Sequence, residues 1–120
     1  MQVQQTIPIL RIFDYDKALE FYISWLGFTI VWENRFEENA PVYMEVEKAG
    51  MRLHLSEHHG DGTPGTKVFA WCNGLQEYHR ELMDKQYKYN RPGLEEAFYS
   101  AWCMEVNDPF NNRIIFNERK

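Results

Sequence analysis

Polar and apolar residues alternate along much of this chain, and twice the alternation gives way to helical spacing. Ile7–Phe13 alternates as a strand. Next, Ala18, Phe21, Tyr22, Trp25 and Leu26 fall on one helical face, with Asp14 or Asp16 available as N-cap and Gly27 as terminator. Phe28–Glu33 returns to strand spacing. VYMEVEKAGMRLHLSE (42–57) then reads as a β-hairpin turning at KAG. GDGTPGT (60–66) is a turn-rich linker.

After the linker the same series starts again. Lys67–Asn73 alternates, and LQEYHRELMDKQ places Leu75, Tyr78, Leu82 and Met83 at helical spacing. A strand is expected near Tyr87–Tyr89, followed by the hairpin WCMEVNDPFNNRIIFNE (102–118). Met44-Glu45-Val46 answers Met104-Glu105-Val106 at an offset of 60, and RLHLSE (52–57) answers RIIFNE (113–118) at 61. One residue has been inserted in the second turn. The pattern predicts an α+β fold of two tandem βαβββ modules, approximately 5–59 and 66–119, in a single domain spanning 1–120.

The totals narrow the function classes. The chain is 44% apolar and 16% aromatic, enough for a core without disulfides or a structural metal. The net charge of −5 argues against non-specific nucleic-acid binding and weakly favours a cationic ligand. No apolar run reaches the length of a membrane span, and the N-terminus has neither a basic region nor a cleavage site of the secretory kind. Cys72 and Cys103 lie in apolar stretches without CxxC spacing. Reduced core thiols in a cytoplasmic protein are expected.

Alternation assigns each strand two faces. One is apolar throughout, with Leu10, Ile12, Met44, Val46, Leu53, Leu55, Met104, Val106, Ile114 and Phe116, and is expected to carry the helices. The other mixes apolar, aromatic and charged side chains: Ile7, Ile9, Arg11, Glu45, Glu47, Arg52, His54, Ser56, Lys67, Phe69, Trp71, Glu105, Arg113, Ile115 and Asn117. Such a mixture suits a binding groove. It equally suits an internal ion pair of Lys67 with a glutamate. Trp32, Phe36, Phe69, Trp71, Phe98, Tyr99 and Trp102 exceed what two helices need. They serve either core and dimer packing or the walls of a groove. No nucleophile elbow or phosphate loop is present.

Paired βαβββ modules are the architecture of the vicinal-oxygen-chelate superfamily of glyoxalases, extradiol dioxygenases and bleomycin resistance proteins, and the chain resembles it at three places. IPILRIFDYDKALEFYISWLGF (7–28) resembles the opening strand and helix, FAWCNGLQEYHREL (69–82) the middle strand and helix, and NDPFNNRIIFNE (107–118) the closing hairpin. Pro8 and LHLSEHHGDGTPGT place it nearest the bleomycin resistance branch. FYSAW (98–102) replaces that branch's Pro-Trp-Gly turn.

The superfamily's enzymes hold a metal through four strand positions, which the repeat maps to Ile7, His54, Lys67 and Ile115. Isoleucine cannot ligate and a lysine ammonium has no lone pair, so neither the inherited metal nor another cofactor is expected. A rearranged His54/Glu57/His58 site of a metal-dependent lyase or dioxygenase is the alternative. By resemblance, the expected ligand is a planar, bleomycin-like antibiotic, sequestered without chemistry in a groove at a homodimer interface. The candidate ligand-binding residues are Trp32, Phe36, Glu45, His54, Lys67, Phe69, Trp71, Tyr99, Trp102 and Glu105. Trp32 and Phe69 match the family's stacking positions, and Glu33, Glu37, Glu38 and Asp61 are candidates to receive a cationic tail. Val31 stands where that branch has an acidic residue, which leaves a smaller or anionic ligand, or an unrelated metabolite, open.

Overall fold

In the computed structural model, which describes residues 1–120, the Asp14 carboxylate accepts a 2.9 Å hydrogen bond from the Lys17 backbone N–H and starts the first helix. That helix, α1 (Tyr15–Ala18), runs directly into a wider π-helical segment, Leu19–Trp25. The wider turn brings the neighbouring pairs Phe21–Tyr22 and Trp25–Leu26 all into the core. The sequence pattern predicts the buried positions but not this change of pitch. Gly27 ends the segment at φ +89°. Helix α2 (Leu75–Asp84) has Gly74 at its N-cap, which offers no side chain. Glu118 caps it instead, accepting from the N–H groups of Gly74 and Leu75 at 3.0 Å each.

The strands are β1 (Ile9–Arg11), β2 (Thr29–Asn34), β3 (Tyr43–Lys48) and β4 (Met51–Ser56) in the first module. The second has β5 (Lys67–Trp71), β6 (Glu95–Ala97), β7 (Ala101–Asn107) and β8 (Arg113–Arg119). They form two four-stranded sheets of orders β1-β4-β3-β2 and β5-β8-β7-β6, so the repeat holds in topology as well as in sequence. The first and last strands of each module pair parallel and the hairpins antiparallel.

The second strand of the second module is not at Tyr87–Tyr89. Tyr87 instead stacks into the core, its ring 5.1 Å from Trp25 and 6.4 Å from Phe21. The edge strand forms eight residues later at Glu95–Ala97, past Pro92 and Gly93. In β2, a register shift at Val31 puts Ile30 opposite Val46 and Trp32 opposite Glu45. The bulge thereby sends Trp32 to the face opposite Ile30.

A continuous core of 19 buried residues draws on both modules. Polar contacts tie the modules together. The Tyr22 hydroxyl donates to Asp108 at 2.7 Å, the Trp25 indole N–H to the Leu82 carbonyl at 3.1 Å, and the Tyr78 hydroxyl to the Leu26 carbonyl at 2.6 Å. Burial pushes the Tyr22 hydroxyl well above the usual tyrosine range, and the neighbouring Asp108 carboxylate adds to it. No helix is long and apolar enough to cross a membrane.

Candidate functional site

The helices cover one face of each sheet, and the other face of each stays open. On the first sheet, register places Ile9, Glu45 and His54 side by side on neighbouring strands, with Trp32 next to Glu45. Glu45 is buried, although it lies on the open face. The His54 Nε2–H donates to its carboxylate at 2.9 Å, and the Arg52 guanidinium donates to its other oxygen. The His54 Nδ1 accepts from the Tyr43 hydroxyl at 2.7 Å. The His54 hydrogen bond, reinforced by Arg52, holds the Glu45 carboxyl below the usual carboxylate range, against the opposing effect of burial. Trp32 stacks parallel to Tyr43 at 5.9 Å and stands edge-on to His54 at 5.4 Å.

The second sheet repeats this layout with different chemistry. Lys67 pairs with Arg113, Phe69 with Ile115 and Trp71 with Asn117, while Glu105 lies opposite Ile115. Lys67 Nζ is 3.4 Å from one Glu105 oxygen and Arg113 Nη1 is 3.8 Å from the other. Phe69, Trp71 and Tyr99 form a three-ring cluster with centroids 5.2 to 6.0 Å apart. Phe69 is 49% exposed and Trp71 44%, so flat apolar surface stands open to solvent. The Tyr99 hydroxyl donates to the buried Asn117 amide oxygen, which fixes the third ring. The Arg119 guanidinium lies 4.0 Å over Trp71.

Eight of the ten candidate residues therefore group on two open faces: Trp32, Glu45 and His54 on the first, and Lys67, Phe69, Trp71, Tyr99 and Glu105 on the second. Phe36 stands apart on the loop after β2, 80% exposed and edge-on to His58 at 5.9 Å. Trp102 is on the wrong side for a groove. It lies opposite Glu118, whose carboxylate caps α2, and so points to the helix side of its sheet. Its parity with Met104 and Val106 carries that information in the sequence. Tyr43 and Arg119 also contact these clusters although the candidate set lacks them, and parity with Glu45 and with Arg113 is the signal that marks them.

No ring contact joins the Trp32 cluster to the Phe69 cluster, so one chain does not bring the two stacking residues together. Of the residues proposed to receive a cationic tail, Glu33 accepts from the Tyr15 hydroxyl and Asp61 from the Ser56 hydroxyl.

The positions of the superfamily's metal ligands do not fit a divalent cation. Ile7 and Ile115 offer no donor, the Lys67 ammonium is turned to Glu105, and both ring nitrogens of His54 are engaged. His54, Glu57 and His58 do not assemble an alternative. Glu57 accepts from the Val42 N–H at 2.9 Å and lies 3.7 Å from Arg35, and no three potential ligands converge anywhere in the molecule. Cys72 and Cys103 are unpaired, and burial pushes both thiols up.

Comparison with known proteins places this geometry. The family described as "Glyoxalase superfamily protein" matches residues 1–120. A bleomycin resistance protein of Geobacillus stearothermophilus is 28% identical over 93% of this chain and 94% of its own length, as is one from Staphylococcus aureus. Among solved structures, a bleomycin resistance determinant encoded on transposon Tn5 superposes with a TM-score of 0.76 at 20% identity, covering 98% of this chain and 99% of that one. A bleomycin-binding protein in complex with bleomycin gives 0.73 at 19% identity, covering 98% and 100%.

Proposed function

This chain belongs to the glyoxalase superfamily, and on that premise we propose that it binds and sequesters a flat small molecule without transforming it. The observation that carries the proposal is the engaged state of His54, the one mapped metal position that keeps a usable donor atom, beside exposed aromatic surface. Where a superfamily enzyme would present a free imidazole nitrogen, His54 is engaged by Tyr43 and Glu45, while Phe69 and Trp71 stay open. A fully hydrogen-bonded polar network is rigid and makes a sound floor for a groove.

The groove is completed by a second copy of the chain. Trp32 and Phe69 lie on separate faces, and exposed apolar surface of this kind marks an interaction site. Residues 1–6 are exposed, the apolar Met1 and Val3 among them. A two-fold arrangement that brings Trp32 of each chain to Phe69 of the other opposes the first sheet of each to the second sheet of its partner. Bleomycin is the first ligand to test, because relatives covering nearly the whole chain carry its name.

The test is a titration with bleomycin and with 2-naphthoate, read by tryptophan fluorescence. A saturable change with either ligand that shifts to about tenfold higher concentration in Phe69→Ala supports binding at this surface. No change with both at tens of micromolar contradicts it. Elution as a monomer in size exclusion would contradict the two-chain groove.

A further inference from the structure

On the second sheet, two cations share one carboxylate. Lys67 and Arg113 approach Glu105 at 3.4 and 3.8 Å without a hydrogen bond, and all three side chains are between one-third and one-half exposed. The Arg113 Nε–H is sealed from solvent and has no acceptor. That atom is out of a ligand's reach, but the Arg113 side chain is 39% exposed, and the outer nitrogens of a guanidinium fit a carboxylate in particular. Arg119 adds a third cation at the same face, stacked on Trp71. Glu105 and the edge residue Glu95 are the acidic groups that oppose these three. The chain as a whole is acidic, so its composition does not account for this local cationic character.

We infer that this face takes an aromatic anion, its ring resting on Phe69, Trp71 and Tyr99 and its carboxylate received by Arg113 and Lys67. The spacing permits both contacts within one small molecule. Lys67 and Phe69 are two residues apart on β5, roughly 7 Å along one face, with Arg113 and Ile115 beside them on β8. The ring therefore meets aromatic surface while an acid one or two bonds away reaches the cations. Arg119 above Trp71 favours an electron-rich ring further. A ligand with a cationic tail would meet like charges here. The inference rests on the reading of this face as a ligand-binding surface and specifies the ligand class.

The experiment is calorimetry of the full chain with 2-naphthoate, 2-naphthamide and 2-naphthylmethylammonium, which share a ring and differ in charge. The acid is expected to bind about tenfold tighter than the amide, with the amine weakest. Arg113→Gln should collapse the acid-to-amide ratio toward one. Glu105→Gln should raise the acid's affinity a few-fold, a gain that a misfolded variant cannot produce. The inference is overturned if the amine binds as well as the acid, or if the ratio survives in Arg113→Gln. If bleomycin or the amine binds and the acid does not, this inference fails while the binding reading stands. If none of the three probes and no bleomycin binds, both fall.

Discussion

Glu45 and Glu105 occupy the same place in the repeat, each on the third strand of its module, opposite His54 and Ile115 respectively. Their surroundings differ in kind. Glu45 is buried, and two hydrogen-bond donors saturate it. Glu105 stands half-exposed between two cations that it does not satisfy. One ancestral layout has given a closed polar network on the first sheet and an open, charge-bearing aromatic surface on the second. A carboxylate beside a mapped metal position can thus become part of the scaffold or part of the ligand surface. Burial and the number of donors within reach decide which.

The sharpest way to break the contrast is to remove each glutamate. Glu45→Ala leaves Arg52 and His54 without their acceptor in a partly buried setting. Its melting midpoint should fall by roughly 5 °C or more. Glu105→Ala should change stability by less than about 0.5 kcal/mol, as for other exposed substitutions. Equal destabilisation by the two would erase the distinction.

Ligand binding should divide in the opposite direction. Phe69→Ala or Trp71→Ala removes stacking surface and should weaken binding of a flat ligand about tenfold, with little change in melting temperature. Trp102→Ala, on the helix side of the same sheet, should leave the affinity unchanged.

The response to pH gives a smaller and more specific effect. The folded-state pKa of Glu45 is depressed, so its network stabilises the fold above the ordinary carboxylate pKa of about 4.3 and loses that contribution as pH falls through the lowered value. His54→Gln should move this acid loss to higher pH, which denaturation curves between pH 2 and 6 would detect. At the alkaline end the core tyrosines act. Burial and the nearby Glu20 push Tyr87 up to about 12, and Tyr22 and Tyr78 are raised as well. Their contribution is complete below the unfolded tyrosine pKa of about 10 and declines as pH rises through the folded values. Tyr87→Phe should flatten the part of that decline between about pH 10 and 12.

Much of the fold is legible in the residues because period-two alternation and the 60-residue offset are strong signals. The hairpins, both helices and the apolar faces all follow from them. The edge strand of the second module is not legible. Glu95–Ala97 is short and polar, whereas the aromatic Tyr87–Tyr89 looks more strand-like but supplies Tyr87 to the core. The π-helical segment is hidden for a related reason, since its inward positions satisfy an α-helical reading too.

The candidate site was legible in part. Parity alone orders Phe69, Trp71, Glu105 and Lys67 on one face, and it sets Trp102 on the other. Trp32 is the reverse case. Strict alternation would put it with Ile30 against the helices, and only the bulge at Val31 turns it toward Glu45. Which carboxylate is saturated depends on side-chain contacts across strands, and strand spacing carries no record of those.

The central claim is that the aromatic surface of the second sheet holds a ligand. The most direct measurement is the paired titration of Trp71→Ala and Trp102→Ala with 2-naphthoate and bleomycin by calorimetry. The account predicts saturable binding of at least one ligand to the unmodified chain, retained in Trp102→Ala and weakened about tenfold in Trp71→Ala. Equal affinity in the two variants, or no binding to the unmodified chain, would contradict it.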